Sequence, residues 1–136
     1  MPHDELSYPA QSGRAWWVAA EALAAAVIPS EFSAGDFLIC GPECGRGAQP
    51  GAAASLLRSG VAAVIASSVD SAFFAAALAA GLPAVAIEEA AAIKSGDRLR
   101  VDIEIFRVAN RNSGDRYIIK NLDDASIAKL REAANP

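Results

Sequence analysis

The chain has 136 residues, of which 53% are hydrophobic, and its 12 Lys and Arg against 16 Asp and Glu give a formal net charge of −4. This length suits one domain with one core, and no apolar run stays uncharged for long enough to span a bilayer. The negative net charge argues against nucleic-acid binding, which needs a concentrated basic face. The N-terminal sequence lacks the basic and apolar regions of a secretory signal, so we expect a cytoplasmic protein with no membrane partner.

Metal ligands are scarce in this sequence. Cys40 and Cys44 are the only cysteines, and His3 is the only histidine. A metal ion or an iron–sulfur cluster needs three or four such ligands, so the sequence predicts that this chain alone binds no cofactor.

The N-terminal part is predicted to contain a lead-in, two strands and a segment that permits a helix. Residues 1–12 are polar and read as a loosely held lead-in, which leaves residues 13–136 as the single domain. Two tryptophans and a valine favour a strand at Gly13–Val18, and the alanine-rich segment Ala19–Ala26 allows a helix. A turn then leads into a short buried strand at Phe37–Cys40.

The stretch from Cys40 to Pro83 carries the clearest structural pattern. Several glycines interrupt a loop before a helix that can begin near Gly51. Val61–Ala66 is an apolar run without alternation, which is typical of a parallel strand covered on both faces. Asp70 or Ser68 can cap the next helix, so the order of elements predicts a βαβ arrangement.

The C-terminal part is predicted to be a strand, a hairpin and a helix. Apolar and polar residues alternate from 98 to 106, which indicates a half-buried strand with Arg98 and Arg100 on its solvated face. The cluster NRNSGD at 110–115 predicts a turn, after which Tyr117–Ile119 would pair back as the second arm of a hairpin. Asp123 or the next residue can cap a final amphipathic helix.

Candidate ligand-binding residues follow the ends of two predicted parallel strands. In the loop Gly41–Gly51, backbone amides and Arg46 could bind a carboxylate, or the glycines could serve only the turn. Cys44 is the nearest titratable group, and it is either a structural thiol or a catalytic one activated by a helix N-terminus. Ser67 and Ser68 could line the same site, unless one of them is simply a helix cap.

Several motifs occur in an order that resembles a known family. GVAAVIASSVDSAFFAAALAAGLPAV is similar to Gly-Ile-x-Ala-Val-Ile-Ala, Ser-Phe-Ala-x-Ile-Phe and Asn-x-Gly-Leu-Pro, while GRAW and VIPS fall where the family has Gly-Lys-Val-Trp and Ile-Ile-Pro. SGDRLRVDIE, followed by a hairpin and a helix, resembles the family's closing segment. From about Gly13 to Ala134 the chain resembles the small, swivelling subunit of isopropylmalate isomerase (3-isopropylmalate dehydratase), the aconitase-type hydro-lyase of leucine biosynthesis.

The resemblance implies an α/β fold, the swivelling β/β/α domain, with a mixed sheet or partial barrel flanked by helices. It further implies a separate aconitase-like large subunit that carries a [4Fe-4S] cluster and helps to dehydrate and rehydrate a small hydroxy-carboxylic acid. Cys44 and Gly45 match the Cys-Gly of the family's Gly-Cys-Gly-Ser-Ser-Arg-Glu loop. On this basis Cys44 is the candidate catalytic residue, and the candidate substrate-binding residues are Gly45, Arg46, Gly47, Ser67 and Ser68.

The sequence also departs from the family pattern at its most reactive positions. RGAQPG stands where Ser-Ser-Arg-Glu is expected, so the loop serine that serves as the base in the family is missing. AEALAA replaces an acidic run, and SEFSA replaces a longer loop that selects the substrate side chain. A second hypothesis is therefore a catalytically degenerate swivel domain that acts as a ligand-binding or regulatory partner. In isolation such a chain could also form a homo-oligomer.

Overall fold

The computed structural model describes residues 7–134 of the chain, and within them lie seven strands and four helices. The strands are β1 (Gln11–Trp17), β2 (Phe37–Ile39), β3 (Ala63–Ala66), β4 (Ala84–Ala86), β5 (Arg98–Asp102), β6 (Arg107–Asn110) and β7 (Arg116–Ile118). The helices are α1 (Ala20–Ala24), α2 (Ala52–Arg58), α3 (Ser71–Ala80) and α4 (Asp124–Ala134). No helix among these residues is long and apolar enough to cross a membrane.

The strands form one mixed sheet in the order β4-β3-β2-β1-β5-β6-β7. Strands β1 to β4 run parallel to their neighbours, and each is joined to the next by one helix, as the predicted βαβ arrangement requires. Strands β5 to β7 are antiparallel, and β5 pairs with β1. We call β1–β4 with α1–α3 the parallel half and β5–β7 the antiparallel half.

The parallel strands are buried on both faces. Leu38 of β2 packs on one side with Leu23, Leu56 and Phe73, which come from α1, α2 and α3. The neighbouring residues Phe37 and Ile39 point into a second core on the other side of the sheet, which α4 covers with Ile127 and Leu130. Because both faces are covered, the strands need no polar alternation, and the prediction made from Val61–Ala66 is confirmed.

The segment after β7 closes the curled sheet onto its far edge. The Lys120 amide donates to the carbonyl of Ala86 in β4 at 2.9 Å. The side chain of Asn121 accepts from the Ala86 amide at 2.8 Å and donates to the Ala84 carbonyl at 3.1 Å. The edge strand is thereby hydrogen-bonded rather than open, and the sheet forms the partial barrel that the sequence predicts.

The predicted strand over residues 98–106 is wrong in its second part. Strand β5 ends at Asp102, whose carboxylate accepts from the Glu104 amide, and a turn of 3₁₀ helix follows at Ile103–Ile105. Phe106 then adopts a φ of +56°, and the chain reverses into β6. Ile105, which alternation places in the core, is instead 60% exposed. The turn cluster at 110–115 therefore joins β6 to β7, not the long strand to its partner.

Both ends of the described chain are held by the fold. Strand β1 begins at Gln11, and Tyr8 is buried with its amide donating to a carboxylate oxygen of Glu104 at 2.7 Å. The folded part thus begins before the boundary predicted at residue 13, while residues 1–6 of the expected lead-in lie outside the described residues. At the other end, Asp123 accepts from the amide and the hydroxyl of Ser126, as predicted for the cap of α4.

Candidate functional site

The candidate residues meet at the carboxyl ends of β2 and β3. These strands pair in parallel register, so the loop at 40–51, which we call the glycine loop, leaves the sheet beside the segment 67–70. The Cys44 amide donates to the Ser68 carbonyl at 3.0 Å, and the Asp70 amide donates to the Cys44 carbonyl at 2.9 Å. The structure therefore brings Cys44, Gly45 and Arg46 next to the two serines, where open α/β sheets bind their ligands.

Ser68 fastens the glycine loop, and Asp70 is the helix cap. The Ser68 hydroxyl accepts from the amide of Glu43 at 2.7 Å, while Glu43 sits at a φ of +55°. The Asp70 carboxylate accepts from the Phe73 amide at 3.0 Å at the start of α3. Between the two caps that the sequence left open, the structure selects Asp70. Ser67 is half-buried, and its hydroxyl forms no hydrogen bond with another described residue.

Gly45 permits a close approach between the loop and α3. It is buried at a φ of +87°, and a Cβ added to it would overlap the ring of Phe73. Gly47 also has a positive φ of +73°, but it is exposed and a Cβ there would meet open space. The backbone role of Gly45 is thus dictated by packing, whereas at Gly47 only the positive φ favours glycine.

Cys40 and Cys44 form a buried pair of thiols, 2% and 1% exposed. The hydrogen bond from the Cys44 thiol lowers the pKa of Cys40 to about 7, helped by the amides of Gly41 and Gly45 and opposed by burial. Donation of the same hydrogen bond raises the pKa of Cys44, and burial raises it further. Cys44 is therefore held as a neutral thiol, although it lies beside the start of α3, where the Asp70 amide donates to its carbonyl.

Arg46 is the exposed cationic side chain of the glycine loop. Its guanidinium Nη1 lies 3.0 Å from Oε1 of Glu43, and the two side chains are 75% and 56% exposed. An ion pair this exposed is weak, so a carboxylate ligand can replace Glu43 at modest cost. The planar guanidinium can bind such a ligand through two parallel hydrogen bonds.

Several backbone amides of the loop are already hydrogen-bonded. Those of Glu43 and Cys44 donate to Ser68, and those of Arg46 and Ala48 donate to the carbonyls of Glu43 and Gly45. Helix α2 has only seven residues, too few to build a strong anion site at its N-terminus. The site therefore presents one cationic side chain on a rigid loop.

Sequence reasoning missed two residues of this site. Glu43 pairs with Arg46 and reaches Ser68, and the Glu-x-x-Arg spacing could have suggested the first contact. Cys40, not Cys44, has the lowered pKa, which nothing in the sequence distinguishes. Within residues 7–134, no three or more His, Cys, Asp or Glu side chains are grouped so that they could hold a metal ion.

No family model matches the sequence, but comparison with known proteins finds relatives of similar sequence. The 3-isopropylmalate dehydratase small subunit 2 of Archaeoglobus fulgidus is 36% identical over 103 residues, which cover 75% of this chain and 62% of the relative. Small subunit 1 of the same organism is 36% identical over 95 residues, or 69% of this chain and 59% of the relative. The small subunit of Wolinella succinogenes is 33% identical over 90 residues, or 65% of this chain and 54% of the relative. The matched part thus spans between 54% and 62% of the length of these relatives.

A solved structure has a similar fold. The crystal structure of 3-isopropylmalate dehydratase (leuD) from Methanocaldococcus jannaschii matches with a TM-score of 0.74 at 19% sequence identity. The match covers 87% of this chain and 86% of that one. This likeness confirms the predicted α/β fold with a mixed sheet flanked by helices.

Proposed function

This chain belongs to the family of the 3-isopropylmalate dehydratase small subunits as a divergent member, and we propose that it serves as the small subunit of an aconitase-type hydro-lyase. It would work in the cytoplasm with an aconitase-like large subunit to dehydrate and isomerise a small hydroxy-carboxylic acid, as in leucine biosynthesis. The observation that carries the proposal is the 36% identity to a 3-isopropylmalate dehydratase small subunit over 75% of this chain. The exposed Arg46 directly follows Cys44 and Gly45, which match the Cys-Gly of the family's loop.

In this proposal Arg46 binds a substrate carboxylate and the rest of the loop holds Arg46 in place. Hydrogen bonds from Cys44 and Glu43 to Ser68 fasten the loop to the neighbouring strand end, and the contact of Gly45 with Phe73 fixes it to α3. Glu43 neutralises the guanidinium until a ligand carboxylate replaces it. The open position of Arg46 suits a site that is completed only when a second subunit closes over it.

In this proposal the [4Fe-4S] cluster belongs to the large subunit. The two cysteines of this chain are buried against each other, and residues 7–134 contain no group of three or more ligands for a metal ion. The described residues do not fit an iron–sulfur cluster, and in this proposal the part of this chain is to bind and orient the substrate.

A second candidate function is that of a ligand-binding or regulatory partner without turnover. The loop serine that serves as the base in the family is missing, Cys44 is a buried neutral thiol, and the Ser68 hydroxyl accepts from the Glu43 amide. Under this alternative Arg46 still binds a carboxylate, but no group abstracts a proton.

An anaerobic dehydratase assay with the cognate large subunit tests the two candidates. Candidate hydroxy-carboxylates are screened by the ultraviolet absorbance of the unsaturated product, with wild type, Arg46→Ala and the control Arg58→Ala on α2. We expect turnover that needs both chains, a fall of about 100-fold in kcat/KM for Arg46→Ala, and no change for the control. A stable complex without turnover would favour the regulatory candidate, and the absence of any complex would contradict both.

A further inference from the structure

The antiparallel half carries a cluster of arginines on its outer face. Along β5, β6 and β7 the inward residues are buried, among them Leu99, Val108 and Tyr117, while the alternate residues point outward. Together with the adjoining edge of β1, these outward positions form what we call the arginine face. It consists of Arg14, Arg98, Arg100, Arg107, Arg111 and Arg116, all exposed, with Asp102 and Ile118.

Strand register places like charges side by side on this face. Arg14 of β1 lies directly opposite Arg98 of β5, and the Arg111 amide donates to the carbonyl of the same Arg98. Directly opposed like charges destabilise a sheet. None of the six guanidinium groups lies within 4.0 Å of a carboxylate of another described residue, although that of Arg14 donates to the carbonyl of Gly96. Asp102, the one acidic residue of the arginine face, lies opposite Arg107 in the strand register, so the fold concentrates positive charge on this face.

The charge of the face opposes that of the rest of the chain. Six arginines and one aspartate give the face a formal charge of +5, although the whole chain carries −4. The remaining residues must then carry −9. Such a separation of charge is typical of a surface that recognises an oppositely charged partner.

The arginine face is also open and partly apolar. Helices α1 to α3 pack against the parallel half, and α4 packs against the inner core. Two adjoining grooves of about 1100 and 450 Å³ share Arg111 and together are lined by all six arginines, with Glu31, Asp36 and Asp102 as the acidic residues of the lining. Ile105 and Ile118, which are 60% and 64% exposed, stand beside the charges. Arginine next to exposed apolar side chains is a composition found in protein interfaces.

We propose that the arginine face docks an acidic protein surface and, resting on the function proposed above, that this surface belongs to the large subunit. Guanidinium groups in rows on a sheet can each take one carboxylate through paired hydrogen bonds. The isoleucines would then be buried at the same contact and add apolar area.

Two other occupants fit the face less well. A second copy of the chain in a two-fold dimer would press +5 against +5, and a head-to-tail contact would leave unpaired faces at the ends of an open chain. A single-stranded nucleic acid needs aromatic side chains for base stacking, and the outward positions of β5–β7 have none. The negative net charge also slows the approach of a nucleic acid.

The test compares two charge-reversed variants with equal net charge. Arg100→Glu/Arg116→Glu alters the face, and Arg58→Glu/Lys129→Glu alters exposed residues of α2 and α4 by the same amount. Affinity for the cognate large subunit is measured by isothermal titration calorimetry at low and at raised salt. We expect the face variant to bind at least about tenfold more weakly than wild type and the control within about twofold, with less difference at raised salt.

Each outcome bears on a different claim. Equal affinity of wild type and face variant would overturn the docking proposal and leave the proposed function standing. No binding by wild type would overturn both. Binding of a fluorescent single-stranded DNA oligonucleotide that depends on the same arginines, with large-subunit binding unchanged, would assign the face to nucleic acid instead. Circular dichroism verifies folding, and the milder pair Arg107→Gln/Arg111→Gln replaces the reversal if the fold is disturbed.

Discussion

The two halves of the sheet differ in how they cover their outer faces. In the parallel half, helices α1 to α3 cover one face of the strands and the inner core covers the other. In the antiparallel half only the inner face is covered, and the outer one carries five of the six arginines of the arginine face, none within 4.0 Å of a carboxylate of another described residue. Packing within the chain thus accounts for the residues of the first half, whereas it does not account for the outer residues of the second half.

The same contrast separates the two candidate contact surfaces. The glycine loop presents Arg46 already paired with Glu43, on a backbone fixed by Gly45 and Ser68, which suits one small carboxylate. The arginine face is broad and carries its charges unpaired, which suits a protein partner. Substitutions in the two halves should therefore differ in the size and the sign of their effect on stability.

The largest expected effect comes from Gly45→Ala in the tightly packed parallel half. The added Cβ overlaps the ring of Phe73, and the residue must keep a φ of +87°, so we expect a loss of at least about 3 kcal/mol in the free energy of unfolding. Gly47→Ala is the matched control, because its φ is also positive but its surroundings are open, and it should cost about 1 kcal/mol. Urea denaturation measures both. Similar losses of stability in the two variants would mean that the Phe73 ring moves aside at little cost.

A smaller effect is expected where α4 is joined to the N-terminal segment. Glu104 accepts from the Arg131 guanidinium and from the Tyr8 amide, and these hydrogen bonds lower the pKa of Glu104 in the folded state, against a smaller opposing effect of burial. A depressed folded pKa stabilises the protein above the unfolded pKa, near 4, and this stability is lost as the pH falls through the folded pKa. Glu104→Gln should cost about 1 kcal/mol at neutral pH and much less in acid.

Denaturation curves at neutral and acidic pH measure this difference. Glu132→Gln is the control, since Glu132 is exposed on α4 beside Arg131 and forms no ion pair with another described residue. A cost for Glu104→Gln that persists unchanged in acid would contradict the assignment to the ionised carboxylate.

The smallest effect is expected on the arginine face, and its sign is opposite. Arg98→Gln removes one of two directly opposed charges, so the isolated chain should become more stable by up to about 0.5 kcal/mol at low salt. The gain should vanish at high salt, and Arg58→Gln should show no comparable gain. If Arg98→Gln instead destabilises the isolated chain, the arginine serves the fold of the antiparallel half and the contrast between the halves weakens.

Much of the parallel half was predictable because its signals are local. The apolar run at Val61–Ala66, the cap at Asp70 and the stop at Gly81 lie within a few residues of the elements they define. The prediction of a long strand over 98–106 was wrong because it followed local alternation alone. Alternation continues in the sequence up to Ile105, but the Asp102 side chain caps a turn that ends the strand early.

The candidate site was predictable only as a neighbourhood. Cys44, Gly45, Arg46 and the two serines do meet, because parallel strands place their carboxyl ends side by side. The individual roles of these residues stay predictions, because the type of a residue does not show which neighbours it contacts. The contact between Glu43 and Ser68 joins two loops that are far apart in the sequence.

The βαβ order, the candidate caps of α3 and α4 and the resemblance to a family of small subunits could be predicted from the sequence, because these depend on neighbouring residues and their spacing. The tertiary structure was needed to choose between the caps and to show that the pKa values of Cys40 and Cys44 shift in opposite directions. It also decided that arginines from Arg14 to Arg116 share one open face. The physical reason is that sheet order and register bring distant strands together, and side-chain electrostatics depend on that spatial proximity.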